Sequence, residues 1–112
     1  MNAPRLSTPL LLENPTRVAD GMGGFRRDWR TLGTVWAEMK AGTGNQQEAE
    51  AGARGVVAWR IITRAAPPGD PRRPCPEQRF RLGDRVFRIA AVAETDPSGF
   101  YLTCFSKEET AT

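Results

Sequence analysis

The stretch of residues 20–40 constrains the fold most, because it combines a glycine-rich turn with two strand-like runs. Glycines within residues 21–24 accept positive φ at no steric cost, so the chain can reverse there. Strand-like sequence then covers residues 25–29 and 34–40, and residues 31–33 (TLG) read as a short connection between the two runs. We therefore predict a β-hairpin here, with one apolar face and one mixed face. The apolar face of its second strand consists of Val35, Ala37 and Met39.

Strand patterns recur along the rest of the chain. Residues 10–13 form a short apolar run that Asn14-Pro15 is expected to end, and residues 56–64 (VVAWRIITR) are rich in β-branched and aromatic side chains. Residues 78–106 predict a three-stranded meander with turns at Gly83-Asp84 and at residues 96–99. The expected core side chains of the meander are Phe80, Leu82, Phe87, Ile89, Ala91, Phe100, Leu102 and Cys104.

A chain of 112 residues is the size of one domain, and its 11 glycines and 9 prolines favour many turns between short strands over long helices. We predict an all-β fold, a small β-barrel or sandwich of roughly six to seven antiparallel strands. Residues 1–9 are expected to form a flexible N-terminus, and residues 107–112 a charged C-terminal tail.

Two segments differ from their neighbours. Residues 41–55 contain no aromatic or branched aliphatic side chain, so they cannot build a core of their own. We expect a long loop there, either with a short helix in its middle or as a solvated linker. Residues 65–77 contain five prolines, which remove backbone donors and exclude a central strand, so this segment is expected to be a proline-rich loop.

The chemistry of the side chains argues against an enzyme. The chain has no histidine and only two cysteines, which is too few for a usual zinc site, and its carboxylates lie mostly in loops or on polar strand faces. We expect no cofactor and no metal. The formal charge of +3 permits contact with nucleic acid without requiring it. No apolar run approaches the length of a membrane span or a secretory leader, so we expect reduced thiols and synthesis in the cytoplasm.

Three ordered blocks resemble the head–tail joining proteins of tailed bacteriophages and gene transfer agents, which are also called head closure or stopper proteins. The resemblance covers residues 10–107. The first block matches a G-G-x-x-x-x-W…W-A segment, the second a central strand at residues 56–64, and the third an R-x-x-x-G-x-R-x-F-x-I-x-x-V segment followed by a closing strand. The matching residues are Gly23, Gly24, Trp29, Trp36, Ala37, Arg79, Gly83, Arg85, Phe87, Ile89 and Val92.

The resemblance implies a structural virion protein, assembled in the bacterial cytoplasm. It implies a homo-oligomeric ring between a portal-bound adaptor protein on the head side and a tail terminator or other tail protein. Double-stranded DNA would pass through the ring. Phage and gene transfer agent origins both remain open. Under this hypothesis, barrel edges join neighbouring subunits, and the loop at residues 41–55 closes or lines the channel.

The candidate residues follow from this hypothesis. The channel-gating or interface loop would use Thr43, Asn45, Gln46, Gln47, Glu48, Glu50 and Arg54; the subunit interface Trp59, Arg60 and Ile62; and the DNA-facing surface Arg72 and Arg73. The alternative is a small nucleic-acid-binding β-barrel that uses Arg26, Arg27, Arg72, Arg73, Arg79 and Arg81. An enzyme inhibitor or another small adaptor is a third possibility.

Overall fold

The computed structural model describes residues 3–42 and 56–109, and within them the regular structure is entirely β. Six strands follow one another along the chain. They are β1 (Thr8–Ala19), β2 (Phe25–Ala41), β3 (Val56–Arg64), β4 (Arg79–Leu82), β5 (Arg85–Glu94) and β6 (Tyr101–Glu109).

The strands form one antiparallel sheet that closes on itself in the order β1-β2-β3-β6-β5-β4. Short hairpins join β1 to β2 and β4 to β5, and β3 crosses over to pair with β6. The all-β prediction is confirmed. Of the two predicted arrangements, a sandwich needs two sheets that pack face to face. The sheet is single and closed, which is the arrangement predicted as a barrel.

The core lies inside the closed sheet and is built by alternation along each strand. Every second residue of β4 and β6 points inward, as do Phe87 and Ile89 of β5, and the sequence predicted this for Phe80, Phe87 and Leu102. Cys104 is fully buried, and desolvation raises the pKa of its thiol to about 12, so it acts as a small apolar side chain. The central cluster consists of Leu10, Leu12, Ala37, Ile61, Phe80, Phe87, Ile89 and Cys104.

The predicted connection at residues 31–33, between the two strand-like runs of residues 20–40, is wrong. β2 runs without interruption through residues 31–33, and the chain reverses earlier, at residues 20–24, between β1 and β2. Gly33 instead belongs to a β-bulge: Leu12 pairs with Gly33 and Glu13 with Thr31, which leaves Leu32 as the extra residue. Glycine inside a strand pattern signals a bulge as well as a turn, and here the bulge is correct.

Asn14-Pro15 does not end the first strand. β1 continues to Ala19, with Pro15 opposite Trp29. Pairing with β4 stops at Glu13, so Pro15 lies on a strand with one open edge, where its missing N–H costs no ladder hydrogen bond. The paired residues 14–19 and 25–30 therefore extend beyond the closed sheet with the turn at their tip. We call residues 14–30 the ribbon.

Four further details of the strands differ from the prediction. β1 begins at Thr8, inside the expected flexible N-terminus, and β6 extends to Glu109, inside the expected tail. In β5 a bulge between Ile89 and Ala91 changes which residues face inward, so Ala91 is exposed and Val92 packs on the core. Phe100 precedes β6 and is 66% exposed instead of buried.

The proline-rich segment contains turns and no strand, as predicted. Its conformation is held by side chains. Arg73 donates from Nη1 to the carbonyl of Ala66 at 2.8 Å, and the amide of Cys75 donates to Oε1 of Gln78 at 2.8 Å. Gln78 also donates from Nε2 to Oδ1 of Asn14 at 3.0 Å, which ties the segment to β1. Within the segment, the side chain of Pro74 is fully buried.

Candidate interaction surfaces

The long connection between β2 and β3 leaves and rejoins the fold at one end of the closed sheet. The amide of Gly42 donates to the carbonyl of Ala58 at 2.7 Å, and a Cβ on Gly42 would lie 2.8 Å from both the Cβ and the carbonyl oxygen of Ala58. Only glycine fits this close approach. The predicted loop residues, and the possible short helix between them, lie outside the described residues: Thr43, Asn45, Gln46, Gln47, Glu48, Glu50 and Arg54.

Trp59, which the sequence placed at a subunit interface, faces the interior of the sheet. Its ring meets Phe87 edge to face, with centroids 5.9 Å apart and an interplanar angle of 88°. Its Nε1–H donates to Oε1 of Glu108 at 2.9 Å. Arg85 reaches the same carboxylate with Nε and Nη2, at 2.7 and 3.1 Å. Trp59 is therefore part of a half-buried polar network at the rim of the core.

The network lowers the pKa of Glu108. The Arg85 guanidinium, together with the Trp59 indole, holds the pKa of the Glu108 carboxyl below its usual range, although desolvation acts in the opposite direction. The carboxylate is nearly buried, with a side chain 10% exposed, whereas the Arg85 side chain is 46% exposed. Arg85 also lies 5.0 Å from the centroid of Phe87, so one guanidinium covers both rings and the carboxylate.

Arg60 and Ile62 alternate with Trp59 and so lie on the outer face of β3. Ile62 is only 6% exposed, whereas Arg60 pairs across the sheet with Phe105, which is 42% exposed. Small residues, Ala58 and Ala90, leave a hollow of about 170 Å³ beside them. The Nε of Arg60 is buried and has no hydrogen-bond partner among the residues that the structure describes. We call Ala58, Arg60, Ala90 and Phe105 the outer patch.

The two candidate DNA-facing arginines are not equivalent. Arg72 forms a two-point ion pair with Asp70, at 3.2 Å from Nε and 3.1 Å from Nη2, yet its side chain remains 80% exposed. This pairing lowers the pKa of Asp70. Arg73 is partly buried and holds the proline-rich segment through Ala66. Arg72 is therefore accessible to a ligand, whereas Arg73 has a structural role.

A buried carboxylate joins the ribbon to the closed sheet, and the sequence did not predict it. Glu13 is 3% exposed; its Oε1 accepts from Nε of Arg79 at 2.6 Å, and its Oε2 lies 3.5 Å from Nε of Arg81. The Arg79 guanidinium also stacks on Trp29 of the ribbon, 4.0 Å from the ring centroid. These residues are far apart in the chain and meet only because β1 pairs with both β2 and β4.

The comparisons with known proteins agree with this architecture. A family model described as phage head completion protein matches residues 1–109. The chain belongs to this family. A structure described as the virion of a native gene transfer agent particle contains a chain that is 53% identical, with a TM-score of 0.83, over 98% of this chain and 100% of that one. The comparison with curated proteins gives no match.

A second solved structure shares the fold of this head completion protein. It is a solution structure of a protein from Shigella flexneri 2a, 20% identical over the full length of both chains, with a TM-score of 0.69. At this identity the likeness concerns the fold alone. Family membership confirms the predicted class, a virion structural protein of the phage-head type, and indicates a role other than catalysis.

Two further observations concern other classes of site in this head completion protein. No group of His, Cys, Asp or Glu side chains within residues 3–42 and 56–109 is arranged to hold a metal ion. The same residues include no helix long and apolar enough to cross a membrane.

Proposed function

We propose that this head completion protein is a head closure connector. Copies of the chain form a ring between a portal-bound adaptor and a tail component, and the connection at residues 43–55 retains or gates DNA in the channel. The observation that carries the proposal is the 53% identity, over 98% of this chain and 100% of the other, to a protein of a native gene transfer agent virion. The same identity favours a particle of that kind for this chain.

The outer patch supports a lateral contact between copies. It combines an exposed phenyl ring with an arginine whose Nε lacks a partner in the described part of the chain, beside a hollow that small side chains leave open. Aromatic and arginine side chains are the residue types enriched in interfaces. We therefore propose that the subunit interface uses Phe105 and Arg60. Trp59 faces inward and is not part of the proposed interface.

The position of the connection between β2 and β3 supports its proposed role. Gly42 lines the hollow of the outer patch, so residues 43–55 leave the fold beside the surface that would join two copies. A ring held together through this surface would bring the corresponding segments of neighbouring copies near one another. These segments contain no aromatic or branched aliphatic side chain, so their contacts with a partner or with DNA would be polar.

The test is deletion of residues 43–53 in cells that produce the particle. Arg54 and Gly55 then connect Gly42 to Val56, which is long enough for a hairpin turn. We expect the purified variant to keep the thermal midpoint of the wild type, because every described core residue remains, and we expect the cells to yield no stable DNA-filled particles.

A variant in which a glycine-serine segment of equal length replaces residues 43–53 is the matched control. If it restores DNA retention, the length of the segment suffices; if it does not, the side chains are required. DNA-filled particles at the wild-type level from the deletion variant would contradict the gating role.

A further inference from the structure

Three cations lie next to one another on neighbouring strands. In the strand registers, Arg79 of β4 pairs with Arg88 of β5, and Arg88 pairs with Lys107 of β6. All three lie on the outer face, because the inward positions beside them belong to Phe80, Phe87 and Ser106. We call Arg79, Arg88 and Lys107 the basic row.

The basic row is compact. Neighbouring strands are about 4.8 Å apart, so its three positions span about 10 Å of the surface. The three side chains line a common hollow of about 230 Å³, together with Trp29 and Val86. Arg88 and Lys107 are exposed, and Arg79 is partly buried. The hollow therefore offers positive charge from three directions to one ligand.

This arrangement has an energetic cost in the free protein. Like charges directly opposite each other on paired strands destabilise a sheet. Glu13 neutralises part of the charge of Arg79 from the buried side. Arg88 makes no ion pair with any residue that the structure describes. A ligand with closely spaced negative charges would reduce the repulsion between Arg79 and Arg88.

Trp29 limits what this ligand can be. Arg79 occupies one approach to its ring, 4.0 Å from the centroid, and Arg27 lies 6.0 Å from the same centroid. The ring therefore holds guanidinium groups and is not open for a base to stack on it. Contacts at this surface would go to phosphates and would be independent of base sequence.

The ribbon also has an excess of positive charge. It carries Arg17, Arg26, Arg27 and Arg30 against Asp20 and Asp28. A protein partner usually presents both signs of charge on its surface, whereas duplex DNA presents only negative charge, about one for every 1.7 Å of its axis. The three residues of the basic row are all cationic, so duplex DNA complements them better than a protein surface does.

We propose that the basic row binds the phosphate backbone of duplex DNA. The inference rests on the proposed connector function and deepens it, because it names the surface of the subunit that meets the DNA. This surface lies on β4, β5 and β6, and it replaces Arg72 and Arg73 as the principal contact.

The experiment measures binding of the purified full-length chain to a fluorescent 30-base-pair duplex of mixed sequence, over a series of salt concentrations. The test variant is R88Q/K107Q. The control is R5Q/R64Q, which removes the same charge from two exposed arginines that belong neither to the basic row nor to the candidate DNA-facing residues. Equal thermal midpoints for the three proteins show that the fold is intact.

We expect the wild type to bind more weakly as salt rises. The slope of log K against log salt is negative, and each lost phosphate contact makes it shallower by about 0.9. R88Q/K107Q should therefore make it shallower by about 1.8. The control should keep the wild-type slope. A longer duplex of unrelated sequence should give the same result.

Three outcomes would overturn the inference. These are a wild-type slope for R88Q/K107Q, an equal loss in the control, which would make net charge the cause, and no binding by the wild type at low salt. If R88Q/K107Q binds DNA normally but no longer enters particles, the row is a protein contact instead. None of these outcomes bears on DNA retention by the variant that lacks residues 43–53, so the two proposals fail separately.

Discussion

At the scale of single residues, Glu108 connects charge to packing. Its carboxylate accepts from the indole of Trp59 and from the guanidinium of Arg85, and so it fixes two side chains at the rim of the core. Such a carboxylate gives the fold a dependence on pH, because protonation removes its affinity for Arg85.

We predict that E108Q removes a pH-dependent part of the stability. The folded pKa of Glu108 lies below the ordinary value of a glutamate carboxyl, so the stabilisation is fully present above that ordinary value and is lost as the pH falls through the folded pKa. At pH 7 the substitution should cost about 1–2 kcal/mol in the free energy of unfolding, since Gln can still accept from Trp59 and Arg85 is half exposed.

Urea unfolding of both proteins at pH 7, 5, 4 and 3 measures this difference. The two curves should converge toward the acid end. A difference between wild type and E108Q that stays constant over the range would show that the ion pair with Arg85 contributes nothing to stability.

At the scale of elements, the ribbon depends on its turn and on its base. At the tip, Oδ1 of Asp20 accepts from the amides of Met22 and Gly24, at 2.7 and 3.1 Å, and Gly21 and Gly23 have positive φ. At the base, Arg79 links Trp29 to the buried Glu13. Between these two points the strands pair only with each other, so local opening should be easiest here.

We predict that D20A loosens the ribbon without unfolding the closed sheet. Loss of the two hydrogen bonds should cost about 1 kcal/mol and should speed amide exchange at residues 25–30, whereas the amides of β3 and β6 keep their protection. Hydrogen exchange followed by mass spectrometry measures both regions. D20N keeps the accepting oxygen and serves as the control; equal exchange in D20A and the wild type would exclude a role for the Asp20 side chain in the turn.

At the scale of the whole molecule, closing the sheet gives every strand a partner on both sides over part of its length and encloses the core, so the outer faces are available for contacts. The outer patch and the basic row lie on different parts of that outside, with Lys107 beside both. If both proposals hold, one subunit contacts a neighbouring copy and DNA through adjacent surfaces.

We predict that F105D leaves the subunit folded and prevents its assembly. Phe105 is 42% exposed and contributes little to the core, but a buried carboxylate in a contact between copies would be costly. Incorporation into particles and the oligomeric state of the purified protein, from light scattering, are the measurements. F105Y keeps the ring and should assemble normally, whereas wild-type incorporation of F105D would exclude the outer patch as the proposed interface.

Local sequence patterns were enough to predict the strand content, the bounds of β3, the turn at Gly83-Asp84 and the burial of Cys104. These features depend on side-chain alternation and turn chemistry between adjacent residues. Strand pairing was needed to show that Gly33 makes a bulge, that Trp59 faces inward and that Pro15 lies within a strand.

Strand register and closure decided the rest. Glu13 meets Arg79, and Arg79 lies beside Arg88 and Lys107, only because distant strands pair in one alignment. A shift of one residue would place each of these side chains on the opposite face. Nothing in the neighbouring sequence encodes that alignment, since it arises from the fit of the whole core.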